Sequence, residues 1–323
     1  QIEKGKFLKV GFDKNALTRH GIILGSTGSG KCLGPNELVL MFSGRRKKAK
    51  NIVKGDLLMG PDSKPRKVLS TVTDIGPMYR ITPVKGKSWV CNDVHVLTLV
   101  DTRSGSLVDI PLNEYLEKSS TFKHCHKQFF TAVKFPKRTE SPIDPYFLGV
   151  WFGDGAKRLK GIYVYKPDKE IGDCLKQIAK DWKLRYCFDG DIEHGIVAKK
   201  GRGINAINPL LHILRELVGS EIKIPSCIKY GSKKTRKAFL AGFLDTDGHL
   251  SGGVYDFVQK RKDYANDVVF IAKSLGIQAT IVEKLVNNEV YYRVCLSGEM
   301  SNLPMRIERK KAQPRQQKKN VTR

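Results

Sequence analysis

Three features of this 323-residue chain combine residue type and spacing in a way that could do chemistry. Near the start, Gly25-Ser-Thr-Gly28-Ser-Gly30-Lys31 follows the apolar run Ile22-Ile23-Leu24 in the G-x-x-x-x-G-K order of a Walker A loop. In such a loop successive backbone N–H groups close around phosphate oxygens, and the lysine reaches the terminal phosphates. The next residue should carry a hydroxyl for magnesium, yet it is Cys32, a nucleophile. Farther on, "FLGVWFGDG" and "LAGFLDTDG" end two apolar stretches on Asp154-Gly155 and Asp247-Gly248. Two carboxylates brought together could share divalent metal ions, and hard oxygen ligands suit Mg²⁺ in phosphodiester hydrolysis.

The elements that would position these residues differ along the chain. After Cys32 the sequence lacks the helical-period apolar face of a P-loop helix, so the phosphate loop is cut at its lysine. Residues 32 to 137 are rich in Val, Leu and Thr, with turn signals such as "MGPDSKP" and "PVKGKS" and one helical stretch, "LNEYLEK". That pattern predicts an all-β domain. From about 145 the chain repeats itself: "YFLGVWFGDGAKRLKGIYVYKPDKEIGDCLKQIAKDWKL" and "AFLAGFLDTDGHLSGGVYDFVQKRKDYANDVVFIAKSLGI" share a plan of apolar helix, Asp-Gly, strand and amphipathic helix. Small residues at Gly149, Gly153, Ala241 and Gly242 would let the two apolar helices approach closely, setting their terminal aspartates side by side.

Composition narrows the function. With 58 Lys and Arg against 32 Asp and Glu, the formal charge of +26 exceeds what solubility needs and predicts a nucleic-acid partner. No apolar run approaches the ~18 residues of a membrane span, and "QIEKGKFLKV" is no signal peptide, so a soluble, cytoplasmic protein is expected. Seven cysteines without a C-x-x-C pair argue against a disulfide scaffold. "KHCHK" around Cys125 has spacing unsuited to a compact tetrahedral site, and a polar loop is expected there.

The paired "FLGVWFGDG" and "LAGFLDTDG" resemble the motifs of the LAGLIDADG (DOD-type) homing endonucleases, the second nearly letter for letter. The resemblance implies a pseudo-two-fold αββαββα domain that binds double-stranded DNA as a monomer, with Asp154 and Asp247 as catalytic residues and Mg²⁺ ligands. A cysteine interrupting a host motif, then a β domain, then such a nuclease, resembles an intein over residues 32 to 323. The implied fold class is α+β multidomain: a Hint (horseshoe) splicing domain, N-terminal part, at 32–137; the endonuclease at 138–303; and a basic linker at 304–323. Residues 1–31 would be the start of a host resembling HerA- or FtsK-type ATPases.

Intein chemistry implies that the Cys32 thiol attacks the carbonyl of Lys31, turning a peptide bond into a thioester without any cofactor. His95, with Asn92 three places before it in "VCNDVHVLTL", matches the assisting pair, although the family's usual partner is Thr and an amide hydrogen-bonds in its place. Glu37 stands where a Thr is common. Splicing would also need a terminal His-Asn, which "MRIERKKAQPRQQKKNVTR" lacks, so a fragment stopping short of it is expected. In the spliced host, Gly25, Gly28, Gly30 and Lys31 would bind ATP and Mg²⁺, and family analogy makes that ATPase oligomeric. For the nuclease, Lys223 in "EIKIPSCIKYGSKKTRK" is the nearest match to the family's hydrolysis-assisting lysine, with Lys260 the second choice and plain phosphate contact the other role for either. Two further readings stay open: an intein with a decayed nuclease, and a P-loop ATPase with a permanent DNA-binding insert.

Overall fold

The computed structural model describes the backbone of residues 2–11, 74 and 321–322 and, in full, residues 32–73, 75–84, 86–136, 140–199 and 208–314. Gly25, Gly28, Gly30 and Lys31 of the phosphate loop lie outside the described residues. Two compact units divide the chain: residues 1–136 with 317–323, and residues 137–316. No helix among the described residues is long and apolar enough to cross a membrane.

The first unit is built of short antiparallel strands. They are β1 (Ile2–Gly11), β2 (Cys32–Leu33), β3 (Leu38–Leu40), β4 (Arg46–Lys48), β5 (Leu57–Met59), β6 (Pro65–Lys67), β7 (Ser70–Ile81), β8 (Trp89–Cys91), β9 (Val96–Asp101) and β10 (Leu107–Pro111). Then come the helices α1 (Leu112–Glu117) and α2 (Ser120–Cys125) and the strand β11 (His126–Phe129). β1, β2, β8 and β7 close into a small barrel, while β10, β9 and β11 form a second sheet that a short strand at Val321–Thr322 joins. Alternation along β9 turns Leu97 and Leu99 inward, onto Leu33, Val39, Leu58, Ile110 and Leu112. The expected helix at "LNEYLEK" is α1. The expected polar loop at "KHCHK" is corrected: Ser119 Oγ accepts the Phe122 N–H at 3.2 Å and starts α2, which runs through Cys125. His126 then stacks on Phe122 at 3.7 Å between centroids, binding that helix to β11.

The second unit contains α3 (Pro145–Asp154), β12 (Ile162–Tyr165), α4 (Lys169–Asp181), β13 (Arg185–Asp189), β14 (Glu193–Val197), α5 (Pro209–Val218), α6 (Ser226–Lys229) and α7 (Lys233–Thr246). β15 (His249–Ser251), β16 (Val254–Gln259), α8 (Lys262–Ser274), β17 (Gln278–Val286) and β18 (Glu289–Ser297) complete it. Ninety-three residues separate Asp154 from Asp247, and the same offset carries α4 onto α8 and β12 into β16. Sheet order repeats as well: β12-β14-β13 in the first half, β16-β18-β17 preceded by β15 in the second, where the described residues of the first half have a bridge between Gly155 and Val164.

The start signals of α3 are local. The Asp144 carboxylate accepts the Phe147 N–H at 2.8 Å, and Pro145 takes the first helical position, where no N–H is needed. α3 is apolar on every side and buried from Tyr146 to Phe152, and α7 is buried from Phe239 to Thr246, as helices at the centre of a domain must be. They cross at glycines: a Cβ on Gly149 would land on the Phe239 carbonyl, and one on Gly242 on the Tyr146 carbonyl. Around the crossing Phe147, Trp151, Phe152, Phe239 and Phe243 are fully buried, each stabilising the fold by about 1.5–3 kcal/mol.

The run 304–323, expected as a linker, is in its first part a packed segment. Leu303, Met305, Ile307 and Ala312 are buried in the same core, which the alternating apolar residues of "LPMRI" allow. Gly242→Val should therefore destabilise the chain by about 3 kcal/mol or more in urea denaturation, because neither backbone can retreat. Gly190→Ala, at φ 64° with open space around it, should lose only about 1 kcal/mol. Equal losses would mean that the crossing is not close-packed.

Candidate functional site

Because α3 and α7 cross at Gly149 and Gly242, their C-terminal ends converge. A Cβ on Gly153 would strike the Thr246 hydroxyl and lie 3.6 Å from the Asp247 amide nitrogen. Asp154 is the last residue of α3 and Asp247 caps α7. The Asp247 carboxyl is pushed up to about 6, first by burial and then by the negative charge of Asp154, against the pull of Gln259, Lys157 and Lys166. The charge of Asp154 thus reaches a buried Asp247, with Lys157 and Lys166 placed to offset part of it.

The twelfth residue after each aspartate holds it. Lys166 Nζ, just past β12, lies 3.0 Å from Asp154 Oδ2, and Gln259 Nε2, at the end of β16, donates to Asp247 Oδ2 at 2.5 Å. The same 93-residue offset relates Lys166 to Gln259, so the duplication supplies both contacts. Lysines also close the helix ends, where the last carbonyls run out of intrahelical donors, and they share the Trp151 and Leu244 carbonyls with the N–H groups of Gly155 and Gly248. Lys157 Nζ donates to the carbonyls of Trp151 (2.6 Å), Gly153 (3.3 Å) and Gly155 (2.7 Å). Burial lowers its ammonium to about 8, with Asp247 and Asp154 resisting. Lys310 Nζ donates to Leu244 (3.2 Å), Asp245 (2.8 Å) and Thr246 (3.0 Å), and Lys166 Nζ to Thr246 at 2.8 Å.

Lys223, expected beside the aspartates, pairs instead with Glu221 on an exposed loop. Glu221 raises the Lys223 ammonium, whereas the lysines acting on Asp247 are Lys157 and Lys166. Lys260 is likewise engaged on the surface, 2.6 Å from Glu289.

In the first unit, β2 and β8 bring Cys32 to Asn92. The Cys32 N–H donates to Asn92 Oδ1 at 2.9 Å, and the Asn92 N–H returns a bond to the Cys32 carbonyl at 3.1 Å. The Cys32 side chain is buried beside Met78 and Val90. His95 is buried as well, edge-on to Trp89 at 5.4 Å, and its backbone N–H bonds the Asn92 carbonyl at 3.3 Å. Glu37 has a contact of its own: its carboxylate accepts the Val90 N–H at 3.1 Å and so ties the turn after Cys32 to β8.

Residues 234–301 match the family model described as LAGLIDADG-like domain. An A-type ATP synthase subunit from Pyrococcus abyssi is 25% identical over 169 residues, covering 50% of this chain and 16% of that protein. The homothallic switching endonuclease of Saccharomyces cerevisiae is 27% identical over 175 residues, 45% of this chain and 29% of that protein. The chain thus spans less than a third of the length of either relative. Among solved structures, I-DmoI in complex with DNA and Mn superposes with a TM-score of 0.36 at 14% identity, covering 48% of this chain and 88% of that one.

Sequence reasoning missed Lys157, Lys166, Gln259 and Lys310. The equal twelve-residue step from Asp154 to Lys166 and from Asp247 to Gln259 was the signal available for two of them. It also missed Asp245, a buried carboxylate whose Oδ2 accepts from Tyr146 Oη at 2.6 Å and from the Arg306 N–H at 2.8 Å. Among the described residues Asp245 Oδ1 accepts no hydrogen bond, and burial raises the carboxyl.

The raised carboxyl of Asp247 has a consequence for stability. Its folded value of about 6 lies above the ordinary 3.8, so the ionised form costs the fold stability. That cost grows as pH rises from about 4 through 6 and is complete above. Asp247→Asn, which keeps an acceptor for Gln259, should stabilise the metal-free chain by on the order of 1–3 kcal/mol at pH 8 and by nothing at pH 4. Urea denaturation at the two pH values checks this, and a gain independent of pH would refute the cause.

Proposed function

We propose that this chain belongs to an intein carrying a site-specific DNA endonuclease. The observation that carries the nuclease reading is the pair Asp154 and Asp247, set together at the ends of two helices that cross at glycines within a duplicated frame. The match of residues 234–301 and the likeness to a yeast endonuclease support it.

The two carboxylates present hard oxygen donors, which fits a divalent cation such as Mg²⁺. Asp154 and Asp247 would hold it, and when bound it would supply Lewis-acid stabilisation of charge on the scissile phosphate. Lys166 and Gln259 orient the two carboxylates. Lys157 and Lys166 place positive charge beside the carboxylates, where a phosphodiester gains negative charge during cleavage. Affinity for double-stranded DNA would come from phosphate contacts of a chain with charge +26, and sequence reading from strands of the two sheets in the major groove. The target would be the uninterrupted gene of a P-loop ATPase host, a reading the ATP synthase likeness supports. One covalent frame holding both aspartates needs no second copy.

In the first unit the Cys32 thiol would attack the Lys31 carbonyl, forming a C–S bond as the S–H and C–N bonds break, and the proton the sulfur gives up is balanced by the one the Cys32 nitrogen gains. Asn92 Oδ1 already holds that nitrogen through its N–H, and His95 would deliver the proton. The host loop of Gly25, Gly28, Gly30 and Lys31 would bind ATP and Mg²⁺ only after excision, in an oligomeric ATPase.

Cleavage of a duplex encoding the uninterrupted Walker A loop tests the nuclease. The wild-type chain should make a double-strand break with Mg²⁺ and none in EDTA. Asp154→Asn and Asp247→Asn should each slow cleavage at least about a thousandfold, a loss of ~4 kcal/mol, while DNA affinity stays within a few-fold. Binding without cleavage by the wild type would favour a decayed nuclease. For the acyl shift, dithiothreitol should release residues 1–31, seen by intact mass. Cys32→Ala should abolish the release and Asn92→Ala slow it at least tenfold. ATP binding by the uncut chain would support a permanent insert instead.

A further inference from the structure

The packed segment that follows β18 reaches the end of α7, outside the region that the family match covers. Along it, the Arg306 N–H bonds Asp245, Arg309 pairs with Asp168 at 2.5 Å, and Lys310 is buried with its ammonium on three consecutive carbonyls, those of Leu244, Asp245 and Thr246. The Tyr255 hydroxyl donates to the Lys310 carbonyl, which fixes the backbone from which this side chain reaches inward. These carbonyls end the helix that Asp247 caps, so the lysine sits directly behind the carboxylate-bearing turn.

Buried carbonyls at a helix C-terminus need donors, and a cation there also answers the helix dipole. At α3 the donor is local, since Lys157 lies three residues beyond Asp154. Three residues beyond Asp247 the chain has Leu250, so the second helix receives its cation from far along the sequence. Lys166 shares the Thr246 carbonyl with Lys310, and its other contact is Asp154. With Lys310 covering Leu244, Asp245 and Thr246, Lys166 stays within reach of Asp154. Without it, Lys166 would be drawn toward the exposed carbonyls, and the last turn that sets Asp247 would loosen.

We infer that Lys310 is a positioning residue for nuclease chemistry, holding the Asp247 turn and keeping Lys166 on Asp154. The inference rests on the nuclease reading proposed above, and its test has one arm that does not. In Lys310→Met, single-turnover cleavage should fall at least tenfold with the dissociation constant for DNA within twofold of wild type. Lys310→Arg, which keeps the charge and the donors, should recover the rate to within threefold. In the same proteins, amide hydrogen exchange at Asp247 and Gly248, bonded to Phe243 and Leu244 at 2.9 and 3.0 Å, should quicken at least tenfold in Lys310→Met and stay near wild type in Lys310→Arg. Lys311→Met, which removes only a surface pair with Glu308, should change neither readout. If Lys310→Met does not fold, Lys310→Gln, with two N–H donors for the same carbonyls, makes the comparison. Wild-type cleavage and exchange in the variant would overturn the inference. So would a loss of DNA affinity and thermal stability in step with the rate, unrelieved by arginine. A wild-type protein that cleaves no duplex would refute the nuclease reading, while the exchange arm still decides whether Lys310 holds the turn.

Discussion

The close crossing of α3 and α7 is the constraint on which the second unit depends. Two helices approach until the Cβ positions of Gly149 and Gly242 coincide with carbonyls of the opposite helix, so no other residue type fits there. The crossing fixes where both helices end, and the ends carry the acids. It also buries two sets of terminal carbonyls in one place, which water cannot solvate. Lys157, Lys166 and Lys310 answer that need. The positive charge beside Asp154 and Asp247 is thus first a structural requirement of ending two helices inside a protein. Cations so placed are then available to a phosphate brought to the acids.

Much of this frame was legible in the sequence, and the reason is the duplication. Two Asp-Gly pairs at the ends of apolar stretches, each followed by a strand and an amphipathic helix, gave α3, α4, α7 and α8 and named Asp154 and Asp247. Small residues near the ends of those stretches gave the close approach. The lysines were not legible, because capping depends on which distant side chain reaches a carbonyl, and spacing does not encode that. Lys223 was chosen by alignment to a family block, yet Glu221 two residues away claims it. Lys310 was hidden by composition: it lies in a basic run that reads as a linker, and only the buried Met305 and Ile307 beside it reveal packing.

A similar contrast holds in the first unit. Cys32 and Asn92 were singled out from sequence, and antiparallel pairing of β2 with β8 sets the Asn92 amide on the Cys32 N–H. The substitution of asparagine for the expected threonine is physically intelligible, since both offer a short side-chain oxygen as acceptor. Glu37 had no reading until its carboxylate was found on the Val90 N–H. The second helix, α2, escaped because its single turn and a half has no apolar period to detect, and its evidence is a serine cap and a histidine stacked on Phe122.

The duplication keeps position from each aspartate through the following strand and helix, but not chemistry. At the twelfth residue after each aspartate one half has Lys166 and the other Gln259, so Asp154 meets a full positive charge where Asp247 meets an amide dipole. An amide donor orients a carboxylate but leaves its charge largely in place. Burial and the charge of Asp154 then outweigh Gln259, Lys157 and Lys166, and the Asp247 carboxyl rises to about 6. Lys310 belongs to the same asymmetry, since the first helix closes its own end with a neighbouring lysine while the second borrows one from sixty-three residues beyond Asp247. Equal halves would have shared their negative charge equally. The unequal ones make the ionised form costlier at Asp247, where a divalent cation would gain most by relieving that cost.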